Sequence, residues 1–432
     1  MELMPENWNW NGFGAVDLLV PQNCEMERWS VVACDQYTSQ PDYWHRVDDF
    51  VGDAPSARKM ILPEAFLSSG HIVEDSEKAH RTMEEYLNQG IFRRCPDALI
   101  YVERWLSNGK LRRGIVGGVD LEQYDYRGEE LTLIRATEGT VLSRIPPRMA
   151  VRRGAALELS HVMLLVDDPE QRIIEHLTYE TEDMELLYDF DLMEEGGHIT
   201  GYLLTEEQKE DVRELLADLE DPERFESMYD APKGAPPMLF AVGDGNHSLA
   251  TAKAVYQERK EQHPEQDWST HPCRWAMVEL NNLHDESLEF EAIHRVFFHT
   301  DPKALLRELM DYYPDTYEGA GEGHVIHYVW EQWEGDITIP ESNTQLAVGA
   351  LQGFLDYYLS RHAGDGYVDY VHGEDVAREL GTQKGNIAFL LQPMAKEQLF
   401  RGVIHDGALP RKTFSMGSAC DKRFYLEARE IR

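Results

Sequence analysis

The densest chemistry in the chain lies in Gly243-Asp244-Gly245-Asn246-His247-Ser248. The preceding apolar run, Met238 to Val242, has the length of a buried strand. The residues after the turn predict a helix opening near Leu249, with Leu249, Ala252 and Tyr256 on one face. Gly243 and Gly245 allow positive φ and close backbone approach, and Ser248 or Asn246 can cap the helix. A strand that delivers Asp244 and His247 to a helix start makes a place where an anion can be held and acted on. The same residues also fit an ordinary strand–turn–helix connection in which Asp244 and His247 only hydrogen-bond the turn.

A second stretch, Ile134 to Gly154, carries Arg135, Arg144, Arg148, Arg152 and Arg153 against the single acid Glu138. Arginine suits bidentate binding of phosphate or carboxylate, and Pro146-Pro147 predicts an extended middle. Arginines that only balance an acidic surface should be interspersed, so this island reads as an anion site. Three further places hold polar groups. Asp35, Gln36 and Tyr37 follow the apolar run Trp29 to Cys34 and could line a cleft, although a loop packed on its own aromatics fits the pattern as well. His294-Arg295 puts an imidazole beside a cation, and Lys412 sits in the basic loop Leu409 to Phe414. His161, at the start of the apolar run Leu159 to Val166, reads as a satisfied core histidine.

The elements that must position these residues alternate between helix and strand. Residues 74–89 form a helix ended by Gly90, and Asn108-Gly109 is a hairpin turn between strands near 99–106 and 111–121. Thr205-Glu206-Glu207-Gln208 is a capping box. Residues 173–204 read as further strands, and 344–362 as a long helix. The pattern predicts an α/β or α+β fold with mixed sheets flanked by helices. A main body over 1–300 would carry the site, with a C-terminal portion over 301–432 packed on it.

Composition narrows the function classes. The formal net charge is −38, from 79 acidic against 41 basic residues. Such a surface repels nucleic acid and anionic membranes and suits a small-molecule enzyme. No apolar run is long enough to span a bilayer, and five scattered cysteines without a C-x-x-C pair fit a reducing cytoplasm. Structural zinc is not expected, and neither is haem or flavin. There is no His-Glu-x-x-His, and Gly243-x-Gly245 lacks the third glycine of an NAD fingerprint.

Several stretches together resemble domain of unknown function 1015: ACDQYTSQPDYW, IRATE with SRIPPR, GDGNHSLATAKA, HRVF, VHGEDVA and ALPRKTFSMG, in this order. In many relatives the turn reads Asp-Gly-His-His-Arg, so Asn246 and Ser248 stand here where a His and an Arg would be, and the turn lacks its own cation. The resemblance implies a distant ParB/sulfiredoxin-like core, a group that includes nucleotide-binding domains and a free-serine kinase. It implies a phosphorylated small molecule or nucleotide as ligand, with Mg²⁺ and ATP or ADP as cofactors. Phosphoryl transfer asks for positioning and charge neutralisation. Asp244 would bind Mg²⁺ or act as general base, and His247 would be a phosphate ligand or acid–base group. Arg135, Arg144 and Arg148 would clamp phosphate oxygens. Glu138 would steady Arg135 or bind metal, and Lys412 would add a cation. Hydrolysis of a phosphate ester and non-catalytic nucleotide sensing use the same residues. The charge missing from the turn must come from elsewhere in the chain, so the expected site is composite.

Overall fold

The computed structural model describes residues 10–67, 70–362, 364 and 366–432. The chain divides into two units. The first takes residues through Ala136, Thr140–Leu288 and Gly417–Arg432; the second takes Thr137–Gly139 and Glu289–Met416. This division differs from a cut after residue 300, because the last sixteen residues, Gly417–Arg432, return to the first unit.

The first unit is built on a mixed, 10-stranded sheet. Its strands follow the order Glu185–Asp191, His198–Leu203, Ile100–Trp105, Leu111–Asp120, Trp275–Asn282, Met163–Val166, Phe240–Asp244, Ile134–Ala136 and Tyr124–Asp125, with Phe13–Gly14 added beside Leu111–Asp120. Alternation along the strands feeds two cores. Trp275 and Met277 enter one apolar cluster, while Ala276, Val278 and Leu280 enter the other on the opposite face. The second cluster also takes Val242, Leu249, Ala250 and Tyr256, so it holds both the central strand Phe240–Asp244 and the helix Asn246–Gln262 that follows it. The mixed α/β architecture expected from the sequence is present.

Local signals are met where they are strong. Gly109 takes positive φ in the hairpin joining Ile100–Trp105 to Leu111–Asp120. The Thr205 capping box forms as read, opening the helix Glu206–Leu219. Two local readings are corrected. Residues 175–183 are 3₁₀ turns, and the strands of that region are Glu185–Asp191 and His198–Leu203. Pro146-Pro147 is not extended: it opens the helix Ile145–Arg153. Proline is preorganised for the first helical turn, where its missing N–H costs nothing.

The second unit has a 7-stranded sheet whose strand pairings, among the described residues, are all antiparallel. Its order is Tyr317–Glu318, Trp333–Ile339, His324–Trp330, Ile387–Leu390, Phe290–Phe298 and Tyr367–His372, with Phe414–Met416 beside Phe290–Phe298. The helix Glu374–Gly381 closes a small core of Val296, Val329, Val371, Ala377 and Ala388. Among the described residues of the chain, no helix is long and apolar enough to cross a membrane.

The central turn is shaped by sheet register. Met163–Val166 runs antiparallel to Phe240–Asp244 with Met163 opposite Asp244, and the register shifts at Met163/Leu164. The residues before Met163 therefore run alongside the turn. Gly245 adopts φ +80, and a Cβ there would lie 2.9 Å from the Val162 Cα. Two constraints thus coincide, a left-handed backbone and contact with another backbone. Gly245→Ala is expected to destabilise the protein by about 1–3 kcal/mol, read as a lower urea midpoint at unchanged slope.

Candidate functional site

Asp244 ends the central strand, and Gly245 is the N-cap of the helix Asn246–Gln262. No side chain caps this helix, contrary to the role expected of Asn246 or Ser248. The reason is geometric. Gly245 supplies the turn, and the Ser248 hydroxyl is directed to His161, with Oγ 3.3 Å from Nε2. Asn246 Oδ1 is buried without a hydrogen-bond partner. The Asp244 carboxylate accepts from the Gly245 N–H at 2.8 Å and pairs with Lys422 Nζ at 3.1 Å.

A cation is thus brought to the turn by Lys422, from the C-terminal segment that returns to this unit. A second positive group is His161. It lies on the segment that the register brings beside the turn, and it is almost fully buried at 3% exposure. Its Nε2 is 3.5 Å from Asp35 Oδ2, and its Nδ1 is 2.7 Å from the Tyr425 hydroxyl. Burial works against the charged imidazole, but Asp35, followed by Asp244 and Glu64, outweighs it and raises the His161 pKa above its ordinary value. Burial likewise opposes ionisation of Asp35. His161, a hydrogen bond from Gln36 and Lys422 overcome it and hold the carboxyl well below its usual range. Each partner thus favours the charged form of the other, imidazolium beside carboxylate.

This geometry excludes a serine-nucleophile relay. In such a relay the serine and the acid use different ring nitrogens. Here Ser248 and Asp35 share Nε2, while Nδ1 faces Tyr425. Cys34 is no nucleophile either. Its thiol accepts from the Tyr425 hydroxyl at 3.0 Å, and burial pushes its pKa up to about 12.

Asp35 and Gln36, read from the sequence as possible cleft residues, are in the group; Gln36 Nε2 donates to Asp35 Oδ1 at 3.1 Å. Tyr37 turns away and stacks on Tyr43 at 3.7 Å. His247, on the first turn of the helix, accepts the Val141 N–H at Nε2, 3.3 Å away. Of the arginine island, Arg148 comes nearest. It pairs with Glu64, whose backbone N–H donates to the Cys34 carbonyl, and Glu64 in turn acts on His161. Arg144 is exposed, with its carbonyl accepting from Arg148 at 2.8 Å.

Arg135 does not face the turn: it donates to the Thr132 and Pro236 carbonyls at 3.0 and 2.8 Å, by the start of the central strand rather than its Asp244 end. Arg152 and Arg153 pair with Glu158 and Glu258. Arg135, Arg152 and Arg153 are thus engaged by partners away from the turn, and Arg148 borders the site through Glu64.

Glu138, His294, Arg295 and Lys412 belong to the second unit. Glu138 bridges the backbone of Leu409 there. Arg295 is fully buried. It donates to the carbonyls of Ile293, Lys412 and Arg411 at 2.5, 2.8 and 3.1 Å, so its charge holds the 409–413 loop from beneath. Lys412 keeps positive φ in that loop, with an exposed side chain. His294 Nδ1 accepts from the Leu391 N–H at 3.1 Å, and burial lowers its pKa below the ordinary value.

Among the described residues, no three His, Cys, Asp or Glu side chains gather as a metal-binding group. At the turn the protein offers Asp244, already engaged by Lys422 and Gly245, and does not by itself form a Mg²⁺ cage. The residues missed from sequence are His161, Lys422, Tyr425 and Glu64. A signal for Lys422 was the Lys422-Arg423 pair in an acidic chain, far from the turn in sequence.

Among curated proteins, none matches the chain by sequence. Several solved structures are similar in arrangement. A mutant of free serine kinase in complex with AMP aligns at TM-score 0.37 and 10% identity, over 73% of this chain and 91% of that one. Another, in complex with ADP, aligns at TM-score 0.39 and 11% identity, over 75% and 93%. A conserved hypothetical protein from Pyrococcus furiosus aligns at TM-score 0.35 and 10% identity, over 73% and 94%. The model of the protein family of unknown function DUF1015 matches residues 19–358, and the chain belongs to that family.

Proposed function

We propose that the turn at Gly243–Ser248 binds the phosphate of a nucleotide or phosphorylated small metabolite, and that the chain is a phosphotransferase of the free-serine-kinase type. The observation that carries this reading is the convergence of two basic groups on one uncapped helix start: Lys422 against Asp244, and His161, whose charged form Asp35 favours, against Ser248. Helix starts favour anions, and fixed cations in a partly dry site strengthen that preference. The proposal also keeps the ParB/sulfiredoxin-like kinship, in which a turn of this kind lies under phosphates.

A mechanism follows from the pairing. An arriving phosphate competes with Asp244 for Lys422. As Lys422 turns to the phosphate, the Asp244 carboxylate is released to accept the proton of an acceptor hydroxyl. The acceptor oxygen bonds to phosphorus as the bond to the leaving phosphate oxygen breaks, and the proton ends on Asp244. His161 is buried, so its charge reaches the ligand through the Ser248 hydroxyl and through space. Asp35 is its counter-ion rather than a base, because its carboxyl is held ionised well below neutrality.

A second reading is ligand sensing without chemistry. It is favoured by the pairing of every carboxylate in the group: Asp244 with Lys422, Asp35 with His161, and Glu64 with Arg148. Prolonged incubation of the protein with ATP and candidate hydroxyl acceptors separates the two, since only the first forms a phosphorylated product.

Calorimetric titration with ADP and with phosphate monoesters tests the site itself. Wild type is expected to bind, and Lys422→Met to bind about tenfold more weakly, the size of one good ion pair. Absence of binding to either ligand class by wild type would remove the proposal. The pH dependence has a definite sign. The charge of His161 is fully present below the ordinary histidine value of 6.5 and is lost as pH rises through its raised value in the folded protein. Affinity for sulfate, a fixed-charge probe, should hold below the ordinary histidine value and fall as pH rises through the raised value of His161. In Asp35→Asn the fall should move to lower pH. An affinity independent of pH in both proteins would contradict the role of His161.

A further inference from the structure

Lys422 reaches Asp244 only if the backbone around it is held. Its neighbourhood is unusual. Arg104 is buried at 2% exposure, and its hydrogen bonds run to backbone carbonyls instead of a carboxylate. Nη1 donates to the Lys422 carbonyl at 2.6 Å and to that of Asp421 at 3.5 Å. Nη2 donates to the carbonyls of Cys420 and Gly196 at 2.6 and 2.9 Å, and Nε adds a second bond to Gly196 at 3.2 Å. The guanidinium also lies over the Phe424 ring at 4.8 Å. Arg112 donates to the Asp421 carbonyl at 2.6 Å. Three consecutive carbonyls, those of residues 420, 421 and 422, are thus gripped by two buried arginines. The Asp421 carboxylate is fixed as well, by the backbone N–H and hydroxyl of Ser107 at 3.0 and 3.1 Å.

A buried guanidinium without a directly bonded carboxylate is expensive to maintain. Burial, and after it the neighbouring Arg112, lower the pKa of Arg104 to about 9 against the pull of Glu279. A purely apolar contact could hold this segment in the core, but it would not fix the direction of each peptide. The arginine does so on both sides of Lys422. With Asp421 turned to Ser107 and the carbonyls turned to Arg104 and Arg112, the Lys422 side chain leaves the segment toward the turn, where 13% of it remains exposed.

We propose that Arg104 is a positioning residue, which sets Lys422 against Asp244 by holding the carbonyls of residues 420–422. The proposal rests on the reading of the turn as a phosphate site for its functional consequence, but the placement itself can be tested without a ligand. Arg104→Lys keeps the charge and cannot span the four carbonyls. Reductive methylation followed by peptide mass spectrometry reads how fast each lysine reacts. Lys422 should react several-fold faster in folded Arg104→Lys than in wild type, with the lysines of the second unit unchanged. Arg112→Lys, which loosens the Asp421 carbonyl and the 3.8 Å pair with Glu279 while leaving the Arg104 bonds in place, is the milder variant should Arg104→Lys fail to fold, and a smaller rise is expected.

Sulfate and ADP titrations supply the functional arm. Arg104→Lys should weaken binding in the wild-type background and have no further effect in Lys422→Met, whereas a general loss of stability would weaken both alike. Unchanged Lys422 reactivity in the folded variants overturns the proposal. Faster methylation in a protein that binds neither probe even as wild type would keep the positioning role and remove the phosphate site.

Discussion

The first unit depends on the burial of arginine–carboxylate groups that draw the C-terminal segment into its core. Arg423 donates to Glu279, to Glu427 at 2.7 Å and to the Ser160 carbonyl at 3.1 Å. Arg429 donates to Glu158 at 2.8 Å, and Glu158 also takes Arg152 and the Met277 N–H, the latter at 2.9 Å. These groups join the tail to the sheet strand Trp275–Asn282 and to the residues just before His161. Removing one partner from such a group leaves a buried charge uncompensated, which costs about 3–5 kcal/mol. The tail is therefore held by its charges as much as by Phe424, Tyr425 and Leu426, which it adds to the apolar core. Lys422 and Tyr425 reach the turn as a consequence of that anchoring.

Electrostatics around the turn run against the rest of the chain. A protein of net charge −38 repels anions at long range. A phosphate site in such a protein cannot rely on steering and needs short-range cations in a partly dry environment, where screening by salt is weak. Lys422 and His161 fit that requirement better than the arginine island does. The island's charge density in sequence disperses in space: Arg135 goes to the start of its neighbouring strand, Arg152 and Arg153 to their own acids, and Arg148 to the edge of the group. Closeness in sequence places charges on one helix, but a helix points successive residues in different directions.

What was legible beforehand was local. The hairpin at Asn108-Gly109, the capping box at Thr205 and the strand–turn–helix around Gly245 are written in residues adjacent to one another, and the structure contains each. The partners of Asp244 were not legible, because they arrive from 83 positions earlier at His161 and 178 later at Lys422. The register that brings them together is set by a strand offset and by buried ion pairs. Neither leaves a periodic mark in the sequence. The loss of a cation at Ser248 was the one clue that something distant had to compensate.

That loss also explains why Ser248 and Lys422 are best understood together. An arginine at position 248 would have to share its place with His161 Nε2, which lies 3.3 Å from the Ser248 hydroxyl. A second cation near a buried imidazolium repels it and would drive the imidazole toward its neutral form. With serine at the turn, His161 can stay protonated beside Asp35, and the mobile positive charge comes from Lys422 on the other side of Asp244. In the proposed phosphate site, this arrangement would separate a fixed cation, His161, from one that can change partners. Lysine suits the second role, since its ammonium is a point charge on a flexible stem and can leave Asp244 for a phosphate without needing the fork geometry of arginine.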